Sequence, residues 1–236
     1  KIICFSSVFN EKRVEFLEKL GCPAFKIASF ENNHFPLISR VLKTNKPVIV
    51  STGMMNLTEI IKLISFLKKK RKKNIAILKC CSSYPSTLKE ANIKTIQFLR
   101  EKYKNIEIGL SDHSLGIAAS CAAISLGASI IEKHLIINKK SKAVDSSFSI
   151  TPKQLKELSK LSSEIHQSLG TKDFSQSLHE IQNKKLKRSI YVIKNINSGD
   201  KFSKKNIGII RPGNGLSTEY YEKLLGKKCI KKLSKG

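Results

Sequence analysis

"IEIGLSDHSLGIAASCAAISLGASIIEKHL", residues 106–135, holds two short apolar, β-rich runs with a stretch of small residues between them. The runs at 106–110 and 129–135 read as strands, and 115–126 has helical spacing. Strand, helix and strand in that order make a parallel crossover, because parallel neighbours need a long connection. Each strand ends at a histidine that follows a charged residue, Asp112 before His113 and Lys133 before His134.

The alternation continues on both sides. Strands are expected at 2–6, 24–28, 47–51 and 75–80, with helices at 12–20, 35–44, 57–69, 89–103 and 152–169, giving six βα units in a row. Such a chain predicts an α/β fold with a parallel sheet covered by helices, and units of about 25 to 30 residues suit a (β/α)8 TIM barrel. Six units leave the barrel lacking its first two, expected before Lys1, so the chain reads as cut inside a barrel. A doubly wound open sheet is the alternative, although no glycine-rich phosphate fingerprint follows any strand. The partial barrel is assigned to 1–169, a polar linker to 170–187, and a small β-rich module with Ser-Gly-Asp and Pro-Gly turns to 188–236. Within that module "VIKNINSGD" at 192–200 resembles "CIKKLSKG" at 229–236; the second copy stops at its glycine, which suggests a shortened C-terminus.

At 236 residues and 40% hydrophobic content the chain can bury a sizeable core. No apolar run approaches the ~20 residues of a membrane span and the start at Lys1 has no signal-peptide pattern, so a cytoplasmic protein without a membrane partner is expected. The six cysteines lack metal-knuckle spacing and mostly fall in apolar segments, as reduced core residues do. The net charge of +26 invites a nucleic-acid reading. The excess is mostly lysine, in runs such as "KKKRKKN" at 68–74 and "NKKLKR" at 183–188, without interleaved aromatics. That pattern reads as a solvated surface, with no nucleic-acid partner expected, which can still steer anionic substrates.

In βα barrels the working side chains stand at the C-terminal ends of strands. Those ends carry Ser6 and Ser7; Lys26, Ser29 and Glu31; Ser51 and Thr52; Ser82, Ser83 and Tyr84; Ser111, Asp112 and His113; Glu132, Lys133 and His134. A ring of hydroxyls with one well-placed lysine, Lys26, suits a phosphorylated and carboxylated small molecule. Adjacent strands lie ~4.8 Å apart, so His113 and His134 can face one divalent ion while leaving positions open, and Mn²⁺ or Mg²⁺ fits better than a closed structural zinc. His34, His166 and His179 have no comparable placement and are expected at the surface.

Six ordered motifs, "KIASFE" (26–31), "PVIVSTGM" (47–54), "LKCCSSYP" (78–85), "GLSDHS" (109–114), "EKHL" (132–135) and "VDSSFS" (144–149), resemble the sialic acid synthase family of bacterial nonulosonate synthases. The tail, with "RSIYV" and "IRPGNG", resembles the antifreeze-like, or SAF, domain that follows the barrel in that family. "KIASFE" and "DSSFS" are more similar to its pseudaminic acid synthase branch than to the N-acetylneuraminate branch. The resemblance implies condensation of phosphoenolpyruvate with an open-chain acetamido sugar, 2,4-diacetamido-2,4,6-trideoxy-altrose in that branch, to a nine-carbon nonulosonic acid plus phosphate. It implies His113 and His134 as catalytic metal ligands, with Lys26, Ser29, Ser51, Ser111, Ser7 and Ser82 on phosphoenolpyruvate. It places Glu31, Tyr84 and Asp145 on the sugar, with Glu31 also able to relay protons, and sends Arg211 into the barrel of another subunit, hence a domain-swapped homodimer. The family's first two barrel strands carry a glutamate and a lysine of the site, so this chain alone is expected to be partial or inactive. N-acetylneuraminate or legionaminate synthesis is the alternative within enzymes; a non-catalytic carbohydrate or polyanion binder is the alternative outside them.

Overall fold

The computed structural model describes residues 2–70, 74–139, 143–171 and 173–236. Lys1 and the centre of the basic run at 68–74 lie outside the described residues. The chain divides into two compact units, Lys1–Gly170 and Thr171–Gly236.

In the first unit strands and helices alternate: β1 (Ser6–Ser7), α1 (Glu11–Lys19), β2 (Phe25–Ile27), α2 (Phe35–Lys43), β3 (Val48–Ser51), α3 (Leu57–Lys70) and β4 (Ile75–Cys80). Then follow α4 (Leu88–Ala91), α5 (Lys94–Lys102), β5 (Glu107–Asp112), α6 (Ala118–Ser125), β6 (Ile131–Lys133) and α7 (Pro152–Leu169). The six strands form one parallel sheet in sequential order. Four strand spacings separate β2 from β6, ~19 Å in a flat sheet, yet Lys26 Nζ lies 3.5 Å from Glu132 Oε1. The sheet therefore curls, bringing its ends together around one concave face.

Alternation along each strand sorts the faces. Phe25, Ile27, Val48, Val50, Ile75, Ile77 and Ile108 pack outward in one core with Leu37, Ile38 and Val41 of α2, Leu63, Ile64 and Leu67 of α3, and Ile96 and Leu99 of α5. Lys26, Ser51, Cys80, Ser111 and Glu132 fall on the intervening positions and line the concave side. Gly109 stands where β5 and β6 approach closely: a Cβ there would meet the Ile130 carbonyl oxygen at 2.3 Å.

Several elements depart from the sequence-based expectation. Residues 2–5 form no strand; continuing the register Ser6↔Phe25 would set Cys4 against Pro23, which has no N–H to donate, and Ile2 and Ile3 are exposed. The helix expected at 115–126 starts only at Ala118, since Gly116 has φ +72°. The helix expected at 89–103 breaks in two because Asn92 is left-handed (φ 40°, ψ 50°). The strand expected at 129–135 is confined to Ile131–Lys133; beyond it the chain turns to Ile150, whose N–H donates to the His134 carbonyl at 2.8 Å. The helix at 152–169 appears as expected, with a reciprocal Thr151–Gln154 capping box and Pro152 in its first turn.

The second unit has α8 (Leu178–Asn183) inside the stretch read as a linker, then an antiparallel pair, β7 (Ser189–Val192) and β8 (Ile207–Ile210), and α9 (Tyr221–Leu224). Its core is Ile190, Ile196, Ile207 and Cys229. The two copies of the faint repeat pair with each other: Ile196 and Leu233 exchange both backbone hydrogen bonds at 2.9 Å, and Gly199 N–H donates to the Cys229 carbonyl at 2.7 Å. All six cysteines are free; Cys22, Cys80 and Cys229 are buried as expected, whereas Cys4 is exposed. Among the described residues no helix is long and apolar enough to cross a membrane.

Candidate active site

A cavity of about 480 Å³ opens on the concave side, lined by residues from all six strands or the loops after them. Its floor is cationic. Lys26 is buried, donates to Ser51 Oγ at 2.8 Å and lies 3.5 Å from Glu132 Oε1. Glu132 also accepts from Ser111 Oγ at 2.7 Å, so lysine, carboxylate and two hydroxyls join four positions of the sheet. Ser29 Oγ accepts from Gly53 N–H at 3.1 Å, and Asn32 Nδ2 donates to the Ser51 and Gly53 carbonyls at 3.3 and 2.9 Å. Those bonds hold the turn after β3 against the turn after β2. Gly53 is required there, since a Cβ would meet Ser82 Oγ at 2.0 Å and Ser29 Oγ at 2.6 Å.

The opposite wall is aromatic. The His113 and His134 rings are 5.2 Å apart, Tyr84 lies 4.1 Å from His113, and Phe148 lies 5.0 Å from His134. Phe148 arrives because the segment ending at Ile150 pairs with the chain after β6. His113 Nδ1 is 2.8 Å from the Cys81 carbonyl oxygen, and His134 Nδ1 is 3.3 Å from Asp145 Oδ2. A carbonyl or carboxylate can only accept, so each Nδ1 carries a proton, and a ring in its neutral form has the Nε2 lone pair to offer. This is how metal-ligating imidazoles are held. Among the described residues no group of three or more His, Cys, Asp or Glu is placed to hold a metal, so a cation here would rest on two imidazoles with its remaining positions open.

Burial, then the neighbouring His113 charge, hold His134 below its ordinary value and favour the neutral ring. Burial would lower His113 as well, but its contacts with Cys80 and the Cys81 carbonyl outweigh it and raise the group. Burial, reinforced by the charges of Cys80, Glu132 and Asp145, raises the Tyr84 phenol, which stays protonated and able to donate.

Of the residues expected in the site, Ser7, Lys26, Ser29, Ser51, Tyr84, Ser111, His113, His134 and Asp145 line this cavity. Glu31 does not; it ends a 3-10 turn over Ser29–Glu31, and its Oε2 is buried without a hydrogen-bond partner among the described residues. Ser82 lines a separate cavity of about 690 Å³ with Met54, Met55, Ile60 and Leu99. Arg211 is an exposed residue of the second unit, after β8. His34, His166 and His179 are exposed, and His34 caps α2 by accepting from Leu37 N–H. Glu132, Cys80 and Phe148 are site residues that the sequence reading left without a role. Glu132 stood in plain view at a strand end, whereas the approach of Phe148 depends on a loop path that no local pattern announces.

Comparison with known proteins agrees with this architecture. Residues 1–174 match the NeuB family and 187–236 the SAF domain. Pseudaminic acid synthase of Campylobacter jejuni is 38% identical over 100% of this chain and 68% of its own length. N,N'-diacetyllegionaminic acid synthase of the same organism is 36% identical over 98% of this chain and 70% of its own length. The crystal structure of the spore coat polysaccharide biosynthesis protein SpsE of Bacillus subtilis superposes with a TM-score of 0.67 at 31% identity, covering 99% of this chain and 71% of that one. The chain, curled parallel sheet and small antiparallel module together, belongs to the NeuB family of synthases with a C-terminal SAF domain.

Proposed function

We propose that the cavity condenses phosphoenolpyruvate with an open-chain acetamido sugar, 2,4-diacetamido-2,4,6-trideoxy-altrose, so that the protein is a pseudaminic acid synthase. One observation carries this reading: a buried lysine among hydroxyls faces two imidazoles, each with Nδ1 engaged, across a single cavity. In the reaction C3 of phosphoenolpyruvate bonds to the aldehyde carbon, water supplies the oxygen added at C2, and the C2–O bond breaks to release phosphate. Lys26, Ser51, Ser29 and Ser111 bind the phosphate and carboxylate, with Ser7 at the rim. Lys26 supplies a point charge from a buried position. Tyr84 and Asp145 contact the sugar; Glu31, outside the cavity lining, is assigned a part in orienting the sugar or relaying its proton by the family resemblance alone. His113 and His134 would hold a Mn²⁺ or Mg²⁺ ion, which when bound polarises the aldehyde and acidifies the attacking water.

The six strands are then part of a (β/α)8 barrel. Arg211 of one subunit serves the barrel of another in a symmetric dimer. The near-equal identity to a legionaminic acid synthase keeps that sugar series as the second reading. The deciding experiment uses the chain extended through its upstream reading frame to the whole barrel and measures phosphate released from phosphoenolpyruvate with Mn²⁺, offering the diacetamido-altrose, its legionaminate counterpart and N-acetylmannosamine in parallel. Preference for the first supports pseudaminate synthesis, preference for another moves the assignment, and release with none sinks the synthase reading.

A further inference from the structure

We infer that the buried Asp112–Lys133 pair is a positioning device that sets the spacing of His113 and His134. The two residues are register partners at the last rung of the β5–β6 ladder, so the residue after each is one of the two histidines. Their side chains, 1% and 3% exposed, turn to the opposite face of the sheet from the imidazoles, beneath α6. Lys133 Nζ lies 2.9 Å from Asp112 Oδ2 and donates to the Ser114 carbonyl at 2.7 Å and the Asp112 carbonyl at 3.4 Å, which uses its three protons. Asp112 in turn accepts from Ser114 N–H at 2.8 Å, Ser114 Oγ at 2.6 Å and Ser120 Oγ at 2.6 Å.

The network is closed. Of the two lysines at the cavity, Lys133 is therefore spent on structure, and Lys26 alone has its charge directed at a substrate anion. The need for such a clamp follows from the ladder, since β6 spans three residues and its pairing with β5 rests on three rungs. A slip of one residue would turn every side chain of β6 to the other face and carry His134 away from His113. The pair prevents the slip from the dry side of the sheet, where water cannot compete for it.

The inference rests on the proposed two-histidine metal site, and its test separates the two. Mn²⁺ binding is titrated by EPR, and the NOE between His113 and His134 ring protons is recorded, for wild type, Lys133→Met and the double variant Asp112→Asn with Lys133→Met. Both variants are expected to bind Mn²⁺ about 10- to 100-fold more weakly, as loss of a supporting contact behind metal ligands does, and to lose the NOE. If Lys133→Met does not fold, the double variant, which has no unpaired buried charge, carries the same expectation. Wild-type affinity with the NOE retained in a folded variant overturns the inference. Failure of wild type itself to bind Mn²⁺ removes the metal site instead, and the NOE comparison then decides the positioning role alone.

Discussion

Lys26 shows how much of the site one residue organises. Its ammonium is buried and bridges Ser51 on the adjacent strand to Glu132 across the curl, so it both closes the concave face and presents charge to it. In the proposed reaction an arriving phosphate competes with Glu132, whose side chain is 40% exposed against 8% for Lys26, so the carboxylate is better hydrated and gives up the cation at less cost. Lys26→Met should therefore raise KM for phosphoenolpyruvate about 30-fold, equivalent to about 2 kcal/mol of lost charge-assisted binding, with a smaller change in kcat. Steady-state kinetics against both substrates check this. An equal rise in the sugar KM, or a kcat loss alone, would assign the residue to the fold or to chemistry rather than to the anion. The residue was legible in the sequence because a lysine in the middle of the apolar run 24–28 has few structural uses. Glu132 was visible but mute, since its function lies in a partner more than a hundred positions away that only the curl brings near.

At the scale of elements, the β5–α6–β6 crossover joins the dry face of the sheet to the working one. Burial alone would raise the Asp112 carboxyl, but hydrogen bonds from Ser114 and Ser120 and the Lys133 charge hold it below its ordinary value of 3.8. A depressed carboxylate contributes its full stability above the unfolded value and loses it as pH falls through the lower folded value. The wild-type melting temperature should thus fall more steeply below about pH 4 than that of Asp112→Asn. At neutral pH the variant should be less stable by about 3–5 kcal/mol, because Lys133 is left buried without its counter-ion. Thermal melts from pH 3 to 7 measure both, and parallel curves would show that the carboxylate does not hold the crossover. The crossover could be read from the alternation of apolar runs, and the parallel sheet with it. The element ends could not, because Gly116, Asn92 and Pro23 act through backbone conformation and register rather than through apolar spacing.

The whole molecule carries 44 basic against 18 acidic side chains, and six ion pairs are formed among the described residues, one of them involving a histidine. Positive charge is therefore in large excess, a net +26, over the chain as a whole. At 10 mM salt the screening length is about 30 Å, long enough for charges on opposite sides of a unit to repel; at 0.1 M it is about 10 Å and only neighbours do. The folded chain concentrates that repulsion relative to the unfolded one, so added NaCl should raise the melting temperature over this range. A fold held together by surface ion pairs would respond the other way, and a flat profile would mean that the charges lie too far apart to matter. The same field should draw phosphoenolpyruvate inward, so kcat/KM for that substrate is expected to fall over the interval in which stability rises. Opposite slopes in one salt series would tie both effects to the net charge, whereas a decline in both would mean that the loss of screened ion pairs outweighs the relief of repulsion. The lysine excess that first suggested a polyanion partner then acts as a weakly destabilising surface that concentrates a small anionic substrate, and the salt series measures the cost and the gain together.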